Sequence, residues 1–558
     1  MLTLYSQNQS SLISALLYKN PKTIVSASQL KFGSATVNMA LIFDSVLLDI
    51  AALLSFCAVG LYFYFKHIYS YWDRRNVKSI KPVIPFGNIK DAILLKTTFA
   101  ENFVDIYNST DEPVIGVYAI NQPGLMIRDI HLVRSIMIKD FQYFHDRGVN
   151  VNEDIDPLSG HLFSLPGEKW KNLRSKLTPT FTSGRIKAMF QTFLDCGKSL
   201  EAHLTKNSDA NTEVEMRNLM ACYATNIIAS VAFGLETDTI IEPEATFRIM
   251  GRKFFDPTLK NLFRFTCTFI LPRFGKMLNV KSVDNDYEAF IFKMVKDTMD
   301  YREKNNIIRK DFMQLLLQLK HTGKVDYEDS WNFEKSKNGD VKNISFEELA
   351  AQAHVFFLAG FETTSTTMSF CFYELAKNPD IQAKVQTEID EVTKKYDGKI
   401  TYESVNEMKY LESCIDETLR MYGPVPVLNR ECTREYKLPG TNITVEKGTR
   451  IFIPSHAIQN DPKHFPDPDT FKPERFSTDE WNSAGGLKYM PFGDGPRACI
   501  GLRMGKLQAK IGIVLILSKF NIHLGERLQK MKKFKYELKS FTPAIEGGMH
   551  VKVTRRTH

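Results

Sequence analysis

A mainly helical fold with a small β region, preceded by one N-terminal membrane anchor helix, is what the sequence predicts, and three stretches carry that expectation. From Ser45 to Phe65 the chain reads SVLLDIAALLSFCAVGLYFYF, 21 residues in which Asp49 is the only charge. That is about the length needed to cross a hydrocarbon core. Ser345-Phe346-Glu347-Glu348 has the form of a capping box and opens a long apolar segment that runs through Leu349, Ala353, Phe356, Phe357 and Leu358. Residues 113–128, PVIGVYAINQPGLMIR, carry β-branched and aromatic residues around a Pro-Gly pair, which predicts a short hairpin turning there.

The chain has 558 residues, and neither an internal repeat nor a long Gly/Ser linker divides it. An apolar fraction of 43% supports a large core, and a net charge of +8 is modest for this length, so nucleic-acid binding is not indicated. The eight cysteines form no C-x-x-C pair and read as free thiols in a reducing compartment.

Residues 1–43 hold no acid, three lysines, no arginine and seven serines, which reads either as an organelle transit peptide or as a disordered extension. The apolar run ends in aromatics, and Lys66, His67, Arg74, Arg75, Lys78 and Lys81 follow it. Such cationic flanks favour a cytosolic position for the rest of the chain. The expected organisation is an extension over 1–38, a transmembrane signal anchor over 39–66, a basic hinge over 67–88 stiffened by Pro82 and Pro85, and one large domain over 89–558. Within that domain, His321 to Lys342 is polar and aperiodic and is expected to form a surface loop.

Near the C-terminus, Pro491-Phe492-Gly493-Asp494-Gly495-Pro496-Arg497-Ala498-Cys499-Ile500-Gly501 gathers three glycines around one cysteine, ahead of an apolar, roughly helical run from Leu502 to Phe520. Glycine suits a backbone that turns sharply or lies close against something flat. A thiolate at a helix N-terminus is stabilised by free N–H groups and the helix dipole, and Arg497 is expected to add positive charge nearby. Cys499 is thus placed to ligate a metal; a buried, inert cysteine is the other reading.

Phe492, Gly495, Arg497, Cys499 and Gly501 reproduce F-x-x-G-x-R-x-C-x-G, and on those residues the chain resembles the cytochrome P450 family of haem-thiolate enzymes. The resemblance implies a P450-type fold holding haem b, with Cys499 as the axial ligand of the iron and Phe492 and Arg497 in the cofactor pocket. Trp170 and Arg174 lie four apart in EKWKNLRSKL and share a helical face. By resemblance to the family's W-x-x-x-R helix they donate to a haem propionate, whereas a surface cation–π pair is the alternative. Arg147, Arg430 and Arg497 match further propionate positions, which suits the paired donors of a guanidinium.

Ala359-Gly360-Phe361-Glu362-Thr363-Thr364 resembles the family's A-G-x-[D/E]-T-[T/S] segment, in which small residues leave room for O2. It implies Thr363 as the catalytic hydroxyl and Glu362 as the feed of protons from solvent; a threonine back-bonded within its helix is the alternative. Glu417 and Arg420 resemble the E-x-x-R helix, with Arg475 as the partner from Pro473-Glu474-Arg475-Phe476, a structural set behind the cofactor. Gly423 to Asn429, Ser540 to Met549 and Val149 to Phe163 align with substrate-facing loops, and Phe163 is a candidate contact. Phe254 to Phe274 is either a pocket roof that dips into the membrane or ordinary core. Phe144 to Gly148 and Leu162 to Met189 look like the insect microsomal branch closest to the vertebrate drug-oxidising enzymes.

What the resemblance implies is a monooxygenase that inserts one atom of O2 into lipophilic small molecules, xenobiotics or endogenous lipids and hormones. Electrons would come from NADPH through NADPH-cytochrome P450 reductase, with cytochrome b5 as an auxiliary donor. The implied location is the endoplasmic reticulum membrane, single-pass with the catalytic domain cytosolic, or alternatively the mitochondrion. Two rival functions stay open: an oxygen-independent haem-thiolate isomerase or dehydratase, and a non-catalytic haem carrier or sensor.

Overall fold

The computed structural model describes residues 27–32, 35–40, 46–256, 258–325, 344–477 and 485–557. Residues 1–26 of the expected extension, and the expected surface loop from residue 326 onward, lie outside the described residues. The chain divides into two units, Met1–Ser70 and Tyr71–His558.

In the first unit, β1 (Ala27–Phe32) pairs antiparallel with β2 (Ala35–Ala40), and a 24-residue helix, α1 (Val46–Tyr69), follows. Among the described residues this is the one helix long and apolar enough to cross a membrane, with a mean hydropathy of 1.9. It continues past Lys66 and His67 because basic residues suit the carbonyl-rich end of a helix.

In the second unit the expected hinge is not a free linker. Trp72 is 1% exposed and donates Nε1–H to the Val117 carbonyl at 3.3 Å. Its backbone N–H donates to the Tyr118 hydroxyl at 3.1 Å. Gly116 makes the packing possible, since a Cβ there would lie 2.5 Å from the indole. Residues 71–88 thus belong to the same compact unit as the rest of the chain to His558.

The expected hairpin forms from β3 (Val114–Ala119) and β4 (Gln122–Ile127), but it turns at Ile120-Asn121. Pro123 and Gly124 are strand residues. Gly124 is needed there because Phe452 of a neighbouring strand lies across it, 2.6 Å from where a Cβ would sit. That neighbour is β6 (Arg450–Ile453), parallel to β4, and β5 (Leu428–Glu431) completes the sheet antiparallel to β6.

Five helices position the site: α2 (Gly167–Leu177), α3 (Met216–Ile228), α4 (Phe346–Lys377), α5 (Lys409–Tyr422) and α6 (Leu502–Leu517). The capping box of α4 is present: the Ser345 hydroxyl accepts from Glu348 N–H at 3.1 Å, and the Glu348 carboxylate accepts from Ser345 N–H at 2.8 Å. Most of the 32 residues of α4 are buried, so it is the spine against which α3, α5 and α6 pack. Gly360 answers to that packing, because a Cβ there would run into Ile228 of α3. Helix α6 ends at Leu517, short of the expected Phe520, which instead opens the strand Phe520–Leu524. Phe520 and Ile522 alternate inward there while His523 faces out.

Replacing Trp72 with alanine should cost about 3–5 kcal/mol, the range for emptying a buried aromatic site. Denaturation of the full chain checks this, and an unchanged midpoint would show that the segment after α1 is only loosely attached.

Candidate active site

The loop from Pro491 to Gly501 is shaped by its own backbone. Asp494 accepts the Gly495 N–H at 2.7 Å, and Cys499 N–H donates to the Phe492 carbonyl at 2.8 Å. Gly493 and Gly495 adopt φ of 70° and 68°, where a Cβ is disfavoured. At Gly495 the close approach is to the Met137 carbonyl, so this glycine serves protein packing rather than a flat ligand. The loop delivers Cys499 to the wall of a cavity of about 700 Å³. The sulfur is accessible through the cavity yet deep in the fold: burial pushes the thiol up, and the Gly501 N–H, Arg174 and Arg147 pull it down.

Arg497 is held by main-chain carbonyls. It donates Nε–H to His145 O at 2.8 Å, Nη1–H to Phe163 O at 3.2 Å and Nη2–H to Leu165 O at 2.7 Å, and it stacks 4.1 Å from the Trp170 ring centroid. Its side chain is a strut between segments, and the cation over Trp170 is Arg497 rather than Arg174. Arg147 donates to the carbonyls of Phe163 at 2.8 Å and Arg497 at 3.2 Å, and lies 4.0 Å from the centroid of the Phe163 ring. Arg174 donates to Ala498 O at 2.9 Å. Arg430, 2% exposed, donates Nη1–H to Asn429 O at 2.8 Å, and its Nε has no partner among the described residues.

All four guanidinium groups line the cavity with Trp170, Phe492 and Cys499. Burial holds the Arg147 group well below its ordinary value, and Arg430, Arg497 and Arg174 add repulsion. Among the described residues the one ion pair in this group joins Arg497 to Asp146 at 3.8 Å. Four cations facing one carboxylate leave the wall short of negative charge, and a ligand bearing two carboxylates supplies it.

Helix α4 brings Thr363 to the same cavity, but not Glu362. The Thr363 hydroxyl donates to Ala359 O at 2.6 Å, the back-bonded arrangement, which leaves its oxygen as an acceptor. Glu362 turns aside: its Oε1 accepts from Arg217 Nη2 at 2.6 Å and from the Thr542 hydroxyl at 2.7 Å. Thr542 lines the cavity, and Arg217 is 31% exposed at its side chain, so the set reaches from near solvent to the cavity wall. Sequence reasoning missed Arg217 and Thr542. A lone cation opening the otherwise apolar run of α3 was a signal for Arg217; its partner, 145 residues away, was not legible.

Behind the cysteine loop, Glu417, Arg420 and Arg475 meet. Arg420 is bidentate on Glu417 at 2.7 and 3.0 Å with both side chains fully buried, and Arg475 Nε adds a contact at 3.3 Å. Phe254 to Phe274 divides its faces: Leu262, Phe265 and Phe269 line the cavity, while Phe263 and Phe274 are exposed. Val149, Phe163 and the Pro424–Asn429 and Ser540–Ala544 segments line it as well.

The family model described as Cytochrome P450 matches residues 78–546. The chain is 42% identical over 469 residues to probable cytochrome P450 6d5 of Drosophila melanogaster, covering 83% of this chain and 92% of that protein. It is 40% identical over 478 residues to cytochrome P450 6d3 of Musca domestica, covering 83% and 91%. It is 38% identical over 488 residues to cytochrome P450 6k1 of Blattella germanica, covering 87% and 93%.

Glu417→Ala strands two buried guanidinium groups and should cost about 3–5 kcal/mol. Thermal unfolding and yield of soluble protein measure it, and a wild-type midpoint would mean that backbone carbonyls alone satisfy Arg420.

Proposed function

We propose that this chain, which belongs to the cytochrome P450 family, is a membrane-anchored monooxygenase that inserts one oxygen atom into lipophilic small molecules. Its electrons come from NADPH through NADPH-cytochrome P450 reductase, with cytochrome b5 as an auxiliary donor. The observation that carries this reading is the convergence of four charge-deficient guanidinium groups and Cys499 on one apolar cavity. Haem b fits there, because its two propionates supply the missing charge. Arg147, Trp170, Arg174, Arg430 and Arg497 would hold those groups, Phe492 would help to hold the cofactor, and Cys499 would ligate its iron. When bound, the cofactor supplies the redox and oxygen-activating chemistry of thiolate-ligated iron.

The protein's own part is orientation, exclusion of water and proton supply. Apolar walls built from Phe265, Phe269 and Phe356 exclude water and accept greasy substrates. Thr363 presents a hydroxyl oxygen at the cavity, and Thr542 can pass a proton between Glu362 and that space. Arg217 pairs with Glu362 and holds its Oε1 against the Thr542 hydroxyl. This proton path favours a monooxygenase over an oxygen-independent isomerase or dehydratase, and a carrier or sensor needs neither Glu362 nor Thr363 in these places. The apolar helix α1 and the basic residues beyond it favour the endoplasmic reticulum, with the catalytic unit on the cytosolic side.

The reduced carbon monoxide complex tests the ligand: Cys499→Ala should abolish the Soret band of thiolate-bound haem, and an unchanged spectrum rejects the assignment. Thr363→Ala should retain haem but divert electrons from NADPH to hydrogen peroxide, measured as peroxide released per NADPH consumed; full coupling in that variant removes Thr363 from the proton path. A reductase-coupled screen of plant toxins, insecticides, hormones and fatty acids identifies the substrate.

A further inference from the structure

The segment that brings Leu162 and Phe163 to the cavity is held from two sides. On the cofactor side the Phe163 carbonyl accepts from Arg147 at 2.8 Å and from Arg497 at 3.2 Å, and the Leu165 carbonyl accepts from Arg497 at 2.7 Å. On the other side the partner is Gln352 of α4, a fully buried amide 190 positions along the chain from Leu162. Its Oε1 accepts the Leu162 N–H at 2.9 Å. Its Nε2 donates to the Gly160 carbonyl at 3.2 Å and to the Glu348 carbonyl, one turn back on α4, at 2.9 Å. Both amide hydrogens are thus used. The bond to Glu348 ties the side chain to its own helix, so the groups facing Gly160 and Leu162 act as a clamp of set position.

This clamp brackets one residue. The Leu162 N–H is held by α4 and the Phe163 carbonyl by two arginines, so the backbone around Phe163 has little freedom. The Phe163 ring lies 4.0 Å from the Arg147 guanidinium and meets the Phe269 ring edge-on, with centroids 6.3 Å apart. It therefore stands where the cofactor wall meets the aromatic roof. Phe163 is 38% exposed and lines the cavity, so a ligand can touch it; Gln352 is not among the lining residues. Gln352 precedes Thr363 by eleven residues, about three turns, which sets it about 16 Å along the helix axis from that hydroxyl. A small ligand near Thr363 and Cys499 does not feel the clamp, whereas one wide enough to meet Phe163 does.

We propose that Gln352 is a positioning residue for substrate selection: by fixing the backbone on either side of Phe163, it sets how wide a ligand the cavity holds beside the cofactor wall. It does so without touching ligand or cofactor. As a statement about substrates this rests on the monooxygenase reading above.

The test uses the full-length holoprotein, without NADPH, and two ligands of haem iron whose binding is read from the shift of the Soret band. One is imidazole; the other is clotrimazole, an imidazole bearing three aryl rings. Gln352→Met has matching length but neither the amide donor nor its acceptor. It should weaken clotrimazole about 10-fold, the scale of buried backbone groups left unpaired, and leave imidazole unchanged. In a Phe163→Ala background the same substitution should alter clotrimazole affinity little, because the two side chains act through one contact. Hydrogen exchange in the peptide from Gly160 to Leu165 should quicken in Gln352→Met, since the Leu162 N–H loses its acceptor. Unchanged exchange, equal losses for both ligands, or the same clotrimazole loss with and without the Phe163 ring overturns the proposal. If Gln352→Met does not accumulate as holoprotein, Gln352→Asn, one carbon too short to span both groups, is held to the same outcomes. No readout here needs turnover, so an inactive enzyme that shows the ligand split refutes only the monooxygenase reading. Turnover without the split refutes only the clamp.

Discussion

Buried positive charge that the protein does not neutralise is the constraint on which this structure depends. Arg147, Arg174, Arg430 and Arg497 are drawn into one wall around Cys499, where burial holds all four down and their neighbours add repulsion at Arg147 and Arg497. A fold tolerates this only if the groups are pinned and something anionic arrives. The pinning is done by main-chain carbonyls: Phe163, Leu165 and His145 receive Arg497, and Ala498 receives Arg174. These bonds join segments more than three hundred residues apart, so the cofactor wall is also the clasp between the two ends of the catalytic unit.

The same logic of buried charge recurs with different resolution elsewhere. At Glu417 the cations and the carboxylate satisfy each other internally, and Lys472 N–H adds a donor at 3.0 Å, so the set is structural and closed. At Glu362 the carboxylate is paired with Arg217 and also accepts from Thr542, which lines the cavity. At Arg450, Nε and Nη2 are buried with no hydrogen-bond partner among the described residues.

The large scaffold serves these sets through shape. Helix α4 contributes Thr363 on one side and Glu362 on the other, one residue apart, because successive residues on a helix point about 100° from each other. The sheet does the same with period two, sending Arg430 and Arg450 to opposite faces of adjoining strands. Two periodicities thus separate functions that adjacent positions in the chain would otherwise merge.

Features written in contiguous residues were legible without coordinates. The apolar run of α1, the capping box at Ser345, the three-residue spacing of Glu417 and Arg420 and the loop ending in Cys499 each express local chemistry, so the mainly helical class and the family resemblance followed from the chain alone. Tertiary structure decided the rest. It moved the turn from Pro123-Gly124 to Ile120-Asn121, because a strand residue was needed under Phe452, and it folded the expected hinge into the body through Trp72 and Gly116. It stacked Arg497 on Trp170 and supplied Arg217 and Thr542 to Glu362. The physical reason is that propensity and spacing act over a few residues, whereas the partner of a buried charge is whichever group the packing brings there, here 145 and 180 positions along the chain.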